Sequence, residues 1–188
     1  MVVPPLTGRL LVATPLIGDP NFERTVVLVL EHSDDGAIGV VLNRPTDTEL
    51  VEPLPDWGGV AAEPRVVFVG GPVGEGSAIG VAWTAEPATG DREDGAAPVA
   101  GPLSTVDLSR PPGEVRPGVE AVRVFAGYAG WGGGQVEDEI EAGAWVVADT
   151  RPGDAFSPDP ARLWVDVLRR QPGRLAWLAN CPPDPSVN

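Results

Sequence analysis

The chain has 188 residues, enough for one substantial core, and its 27 acidic residues outweigh 13 basic ones to leave a formal charge of -14. That field repels phosphate backbones, so direct nucleic-acid binding is not expected without a strong local basic patch. Cys181 and His32 are each alone in the sequence, which excludes an internal disulfide and a Cys/His zinc site. No EF-hand spacing is present either, so neither a metal nor a cofactor is expected.

The amino terminus, Met1-Val2-Val3-Pro4-Pro5, lacks a charged leader segment, and the apolar stretch 10–17 is broken by Pro15 and closed off by Asp19. It reads as neither a signal peptide nor a membrane span, so a cytoplasmic protein is expected. Residues 8–13 and 25–31 read as strands. The second is apolar at both parities, the mark of a central strand covered on both faces. Ser33-Asp34-Asp35-Gly36 supplies turn chemistry, and 37–42 returns as the hairpin partner, with His32 facing Ala37. Arg24 and Thr25 then come opposite the neighbourhood of Arg44, at the other end of the hairpin from His32.

Further strands are expected at 65–69 and 78–83. The stretch 86–118 is rich in Pro, Gly and charge and supports at most short strands or turns, a loop-rich excursion within a single domain spanning 1–188. Beyond it, 121–128 reads as a strand, 134–141 as a short helix and 145–149 as another strand. Asp159 is placed to cap a last helix with Pro160 at its first position and Leu163, Trp164, Val167 and Leu168 on its buried stripe; Pro172-Gly173 stops it. Arg169 and Arg170 complement the negative end of that helix, and Pro182 onward is a short tail.

Several residues carry candidate chemistry. His32 is the one side chain suited to acid/base work near neutral pH, yet no nucleophile motif accompanies it, and a histidine beside a hairpin turn commonly serves the backbone. The glycines of 70–76 and 130–134 match neither a dinucleotide fingerprint nor a P-loop, and the carboxylates of 137–141 suit a helix start by themselves. Tyr128 and Trp131 form either a ligand platform or core, with packing the cheaper explanation. Gln135 and Glu139 lie four apart on one helical face and are read as surface contacts with little effect on stability. Arg24, Asn43 and Arg44 are able to converge with Asp19 and Asn21, either as a polar site or as a network tying that loop to the hairpin end.

Gly127-Tyr128-Ala129-Gly130-Trp131-Gly132-Gly133-Gly134-Gln135 with Glu139-Ile140 resembles the Gly-Tyr-Ala-Gly-Trp-x-x-Gly-Gln-x-x-x-Glu-Ile signature of the YqgE/AlgH family of bacterial proteins. The run from Thr14 to Val27, the block Leu42-Asn43-Arg44-Pro45 and the block Val69-Gly70-Gly71-Pro72-Val73 are similar to further segments of that family. The resemblance implies an α+β fold whose bent mixed β-sheet closes into a pseudo-barrel with a few flanking helices. It also carries a transcriptional-regulator label, but no reaction. The expected function is a non-enzymatic regulatory or adaptor domain that meets an unidentified protein or small-molecule partner through Arg24, Asn43, Arg44, Gly71, Tyr128, Trp131, Gln135 and Glu139. The alternative is an enzyme, a hydrolase or transferase, using His32 or the Arg24/Arg44 pair.

Overall fold

Residues 5–182 are described by a computed structural model. Among them ten strands are named: β1 (Leu10–Ala13), β2 (Val26–Ser33), β3 (Gly36–Val41), β4 (Pro45–Glu49), β5 (Val66–Val69), β6 (Val73–Thr84), β7 (Ala96–Ala100), β8 (Leu103–Val106), β9 (Val119–Gly132) and β10 (Trp145–Ala148). Two α-helices join them, α1 (Gln135–Glu141) and α2 (Pro160–Arg169). The strands follow the order β10-β1-β2-β3-β9-β6-β8-β7, with β4 paired to β5 and β5 running parallel to β9. The other pairings are antiparallel, and the resulting α+β fold is a mixed sheet curled into a half-barrel with few helices. Among the described residues no helix is long and apolar enough to cross a membrane.

The β2–β3 hairpin has the expected register, with His32 opposite Ala37 and Ser33 opposite Gly36. A bulge between Val29 and Glu31 shifts the remainder by one, bringing Val27 opposite Val41. The both-parity apolar pattern of β2 has a direct structural counterpart. Val26 and Leu28 join an inner core with Leu10, Val12, Val40, Phe125 and the buried stripe of α2, whereas Val27 and Val29 face a second core with Leu11, Ala13, Trp131 and Trp145.

The stretch 86–118 contributes to the sheet. Its strands β7 and β8 are short, but β8 pairs with β6, and Leu103, Ser104 and Val106 are buried. The strand β4 was not legible in sequence: Pro-Thr-Asp-Thr-Glu shows no apolar alternation because most of it faces solvent. The 3-10 turn Gly173–Asn180 after α2 was likewise not anticipated.

Two expectations about α2 need correction. Asp159 occupies the N-cap position but makes no side-chain cap hydrogen bond. Arg170 does more than complement the helix end: it grips the buried Asp154 with both terminal nitrogens, one at 2.8 Å, and also donates to the Asp149 carbonyl at 3.1 Å. This pair ties the end of α2 to the turn Pro152–Asp154.

The 14-residue β9 takes part in both halves of the sheet. Its last residues pair with β3 and its earlier ones with β6. The β6 pairing runs to Tyr128 and the β3 pairing begins at Ala129; just before this, Gly127 has a φ of +70°, a left-handed conformation that side chains other than glycine disfavour. A methyl group there would come 2.6 Å from the Gly71 carbonyl oxygen and 2.9 Å from that of Val73. Gly127→Ala is therefore expected to cost about 2–4 kcal/mol of folding stability, combining backbone strain with a clash against main chain that cannot swing away. Urea unfolding measures it; a loss below about 0.5 kcal/mol would mean the bend needs no glycine.

Candidate functional site

Between β1 and β2 the chain makes a loop, 14–25, that its own residues shape. Thr14 accepts the Leu16 N–H on its hydroxyl oxygen and donates that hydroxyl to the Gly143 carbonyl at 2.7 Å, while its N–H donates to the Ala144 carbonyl at 2.9 Å. Asp19 accepts the Asn21 N–H at 2.8 Å, the local turn to which aspartate is suited. On one side of this loop lies a cleft of about 520 Å³, bordered also by Trp164 of α2 and by Cys181 and Pro182. Much of its lining is apolar, and Asp19, Glu23 and Arg24 bring charge to it.

Arg24 is the most constrained of these residues. Among the described residues it is the one non-glycine with a left-handed backbone, φ +52°. Its guanidinium lies 4.0 Å from the centre of the Trp164 ring, a cation–π arrangement, and Nη1 donates to the Cys181 carbonyl at 2.9 Å. The Trp164 indole N–H in turn donates to the Ala13 carbonyl at 2.8 Å, so one wall of the cleft is fixed from both ends.

Asn43 and Arg44 close the loop from behind. The Asn43 side chain accepts from the Val26 N–H at 3.0 Å and donates to the Arg24 carbonyl at 2.9 Å, bridging β2 to its preceding turn. Arg44 donates to the Pro20 and Glu23 carbonyls at 3.3 and 3.1 Å. The structure thus brings Arg24, Asn43 and Arg44 together on one loop, but only Arg24 borders the cleft.

The other face of the same loop holds Phe22 against Trp131 and Trp145, with ring centres 6.2 and 5.5 Å away, and the two indoles meet edge-on at 5.9 Å. Trp131 is only 6% exposed. Both indole N–H groups donate to the same Glu139 oxygen, at 2.9 Å from Trp131 and 2.8 Å from Trp145. Gln135 donates to the other Glu139 oxygen at 2.9 Å and accepts the Gly132 N–H at 3.1 Å. Glu139 therefore works inward, as the acceptor that lets two tryptophans be buried, and differs from the surface contact expected of it. Tyr128, three residues from Trp131 along β9, falls on the opposite face and packs against the inner core, so the two rings share no platform. Gly71 packs against the Tyr128–Ala129 main chain, where an added methyl would lie 2.2 Å from the Tyr128 carbonyl.

His32 sits elsewhere, at the hairpin turn. Its Nδ1 accepts from the Leu6 N–H at 3.2 Å, which leaves Nε2 as the donor to Glu137, 2.7 Å away. Both ring nitrogens serve structure. Sequence reasoning missed Trp164, Cys181 and the buried Arg123. Arg123 is 1% exposed, stacks over Phe68 at 4.4 Å and donates to the carbonyls of Glu63, Ala155 and Ser157. Burial lowers its pKa to about 10. The available signal was its position among apolar residues of both parities, which marks a strand covered on both sides. Among the described residues no group of three or more His, Cys, Asp or Glu side chains is placed to hold a metal ion.

The arrangement separates two roles that look alike in sequence. Glu139→Ala strands two nearly buried indole donors and is expected to cost about 2–4 kcal/mol, while Gln135→Ala, which opens to solvent, costs under about 1 kcal/mol. Paired chemical unfolding decides it. Equal and small losses would show that water replaces the carboxylate without penalty.

Similarity to known proteins extends over the whole chain rather than the cleft alone. An AlgH-like family model matches residues 10–176. A UPF0301 protein of Streptomyces coelicolor is 56% identical over 97% of this chain and 95% of the relative. Another, of Thermobifida fusca, is 46% identical over 97% of this chain and 96% of the relative. A crystal structure of a Corynebacterium diphtheriae protein, 36% identical, superposes with a TM-score of 0.86 over 95% of this chain and 94% of that one. The solution structure of AlgH from Pseudomonas aeruginosa, 27% identical, gives 0.63 over 92% and 98%.

Proposed function

The chain belongs to the AlgH-like family, and from that membership together with the cleft we infer that it is a cytoplasmic regulatory or adaptor domain. It binds a protein or small-molecule partner and influences transcription through that partner rather than by gripping DNA. The supporting observation is the cleft beside the 14–25 loop, whose apolar lining and few charged groups suit recognition. The net charge of -14 argues against the operator itself as the ligand.

An enzyme using His32 or the Arg24/Arg44 pair has less support. The two nitrogens of His32 are engaged by Leu6 and Glu137, and His32 does not border the cleft. Arg24 and Arg44 each commit one terminal nitrogen to main-chain carbonyls and Arg24 also lies over Trp164, so both are tied to the loop as supports.

A photo-crosslinking amino acid placed in cells at Leu16, which is 73% exposed and flanked by the cleft residues Pro15 and Ile17, is expected to capture a discrete protein partner. The same group at the exposed Glu114, outside the cleft, should not. Adducts of equal yield at both positions, or none at Leu16, would contradict a protein partner at this face.

A further inference from the structure

The polarity of the cleft selects among the occupants just considered, an inference that rests on the cleft being a recognition site. Pro15, Ile17, Pro20 and Pro182 offer apolar surface, and the buried Trp164 lies behind them under the Arg24 guanidinium. Of the three charged side chains at its border, Arg24 is fixed in the wall, its face over Trp164 and its Nη1 on the Cys181 carbonyl. Asp19 uses one carboxylate oxygen within the loop, on the Asn21 N–H. Its second oxygen and the whole carboxylate of the exposed Glu23 make no hydrogen bond or ion pair among the described residues. With two carboxylates against one guanidinium, the border of this apolar cleft is anionic on balance.

A ligand matched to it is apolar and carries a cationic donor, since an unneutralised carboxylate beside apolar surface favours a cation, and charge-assisted hydrogen bonds are the stronger kind. The extent of the apolar surface distinguishes a peptide from a small amine. A volume of about 520 Å³ accommodates a small ligand, yet the apolar surface does not stop at the rim, because Leu16 stands exposed between the lining residues Pro15 and Ile17. An occupant that covers both must run past the cleft. We propose that the cleft docks a short segment of a partner protein in which an arginine or lysine adjoins a large apolar side chain, the apolar group entering beside Trp164 and the cation meeting Asp19 and Glu23.

The test titrates the isotopically labelled full-length chain, at physiological ionic strength, with short peptides that share the same leucines and carry arginine, glutamate or serine between them. The arginine peptide is expected to move the Gly18 amide and Trp164 indole signals and to bind at least about tenfold more tightly than the serine peptide. The double variant Asp19→Asn/Glu23→Gln should lose that preference with its melting temperature unchanged. Glu86→Gln/Glu114→Gln, which removes the same charge outside the cleft, should keep it. Equal losses in the two double variants would reduce the effect to net charge and overturn the proposal. Glutamate or serine peptides moving the cleft signals as strongly as the arginine peptide would overturn the basic-partner assignment while leaving the cleft as a recognition site. No peptide moving them would remove both. Phenethylamine competing as tightly as the arginine peptide would replace the peptide with a small cationic ligand.

Discussion

A single strand that must serve two parts of a curled sheet is the constraint on which this structure depends. The long β9 pairs with β6 as far as Tyr128 and with β3 from Ala129 on, and it bends at Gly127 just before that change. The crossing is crowded, with the Gly71 and Val73 carbonyls against the bend and Gly70 donating its N–H to the Ala126 carbonyl at 2.8 Å. The glycines of the Val69 to Val73 block and of the β9 segment are therefore two sides of one contact. They need neither nucleotide nor anion to account for them.

The residues after Gly127 inherit their direction from it. Beyond the bend, Tyr128 faces the inner core and Trp131 the second core, where the short helix α1 returns Glu139 beneath the two indoles. Phe22 packs on those same rings, and Thr14 is bonded to the turn after α1, so the 14–25 loop is moulded against this assembly. Asn43 and Arg44 fasten its other end to the β2–β3 hairpin. The cleft is the space that the outer side of the loop leaves open toward Trp164. Most of the polar residues that look functional in the sequence are therefore the supports of a loop, and the surface available for recognition is the part of that loop they do not occupy.

The sequence disclosed the elements whose patterns are local. The apolar stripe of α2, the buried parities of β2 and the Asp34-Asp35 turn are each written within a few residues, and each recurs in the structure. Relations across long separations were not legible. Nothing near Asp154 announces Arg170, and nothing near Glu139 announces that its oxygen receives Trp145 as well as Trp131. The four-residue spacing of Gln135 and Glu139 was read correctly as one face, and they do bond to each other, but which way that face points depends on the bend at Gly127. Trp164 and Cys181 escaped notice as site residues because one belongs to a core stripe and the other is a lone cysteine just before the tail, and only folding brings them beside Arg24.

The central claim is that the aromatic assembly holds the loop, and so the cleft, in place. Amide hydrogen exchange of a Phe22→Ala variant tests it most directly, because the N–H groups of residue 22 and Thr25 donate within the loop to the Asp19 and residue 22 carbonyls. The account predicts exchange accelerated by at least about tenfold at these loop amides, with protection in β2 and β9 preserved. Loop amides as protected as in the unaltered chain, or acceleration spread evenly through the sheet, would contradict it.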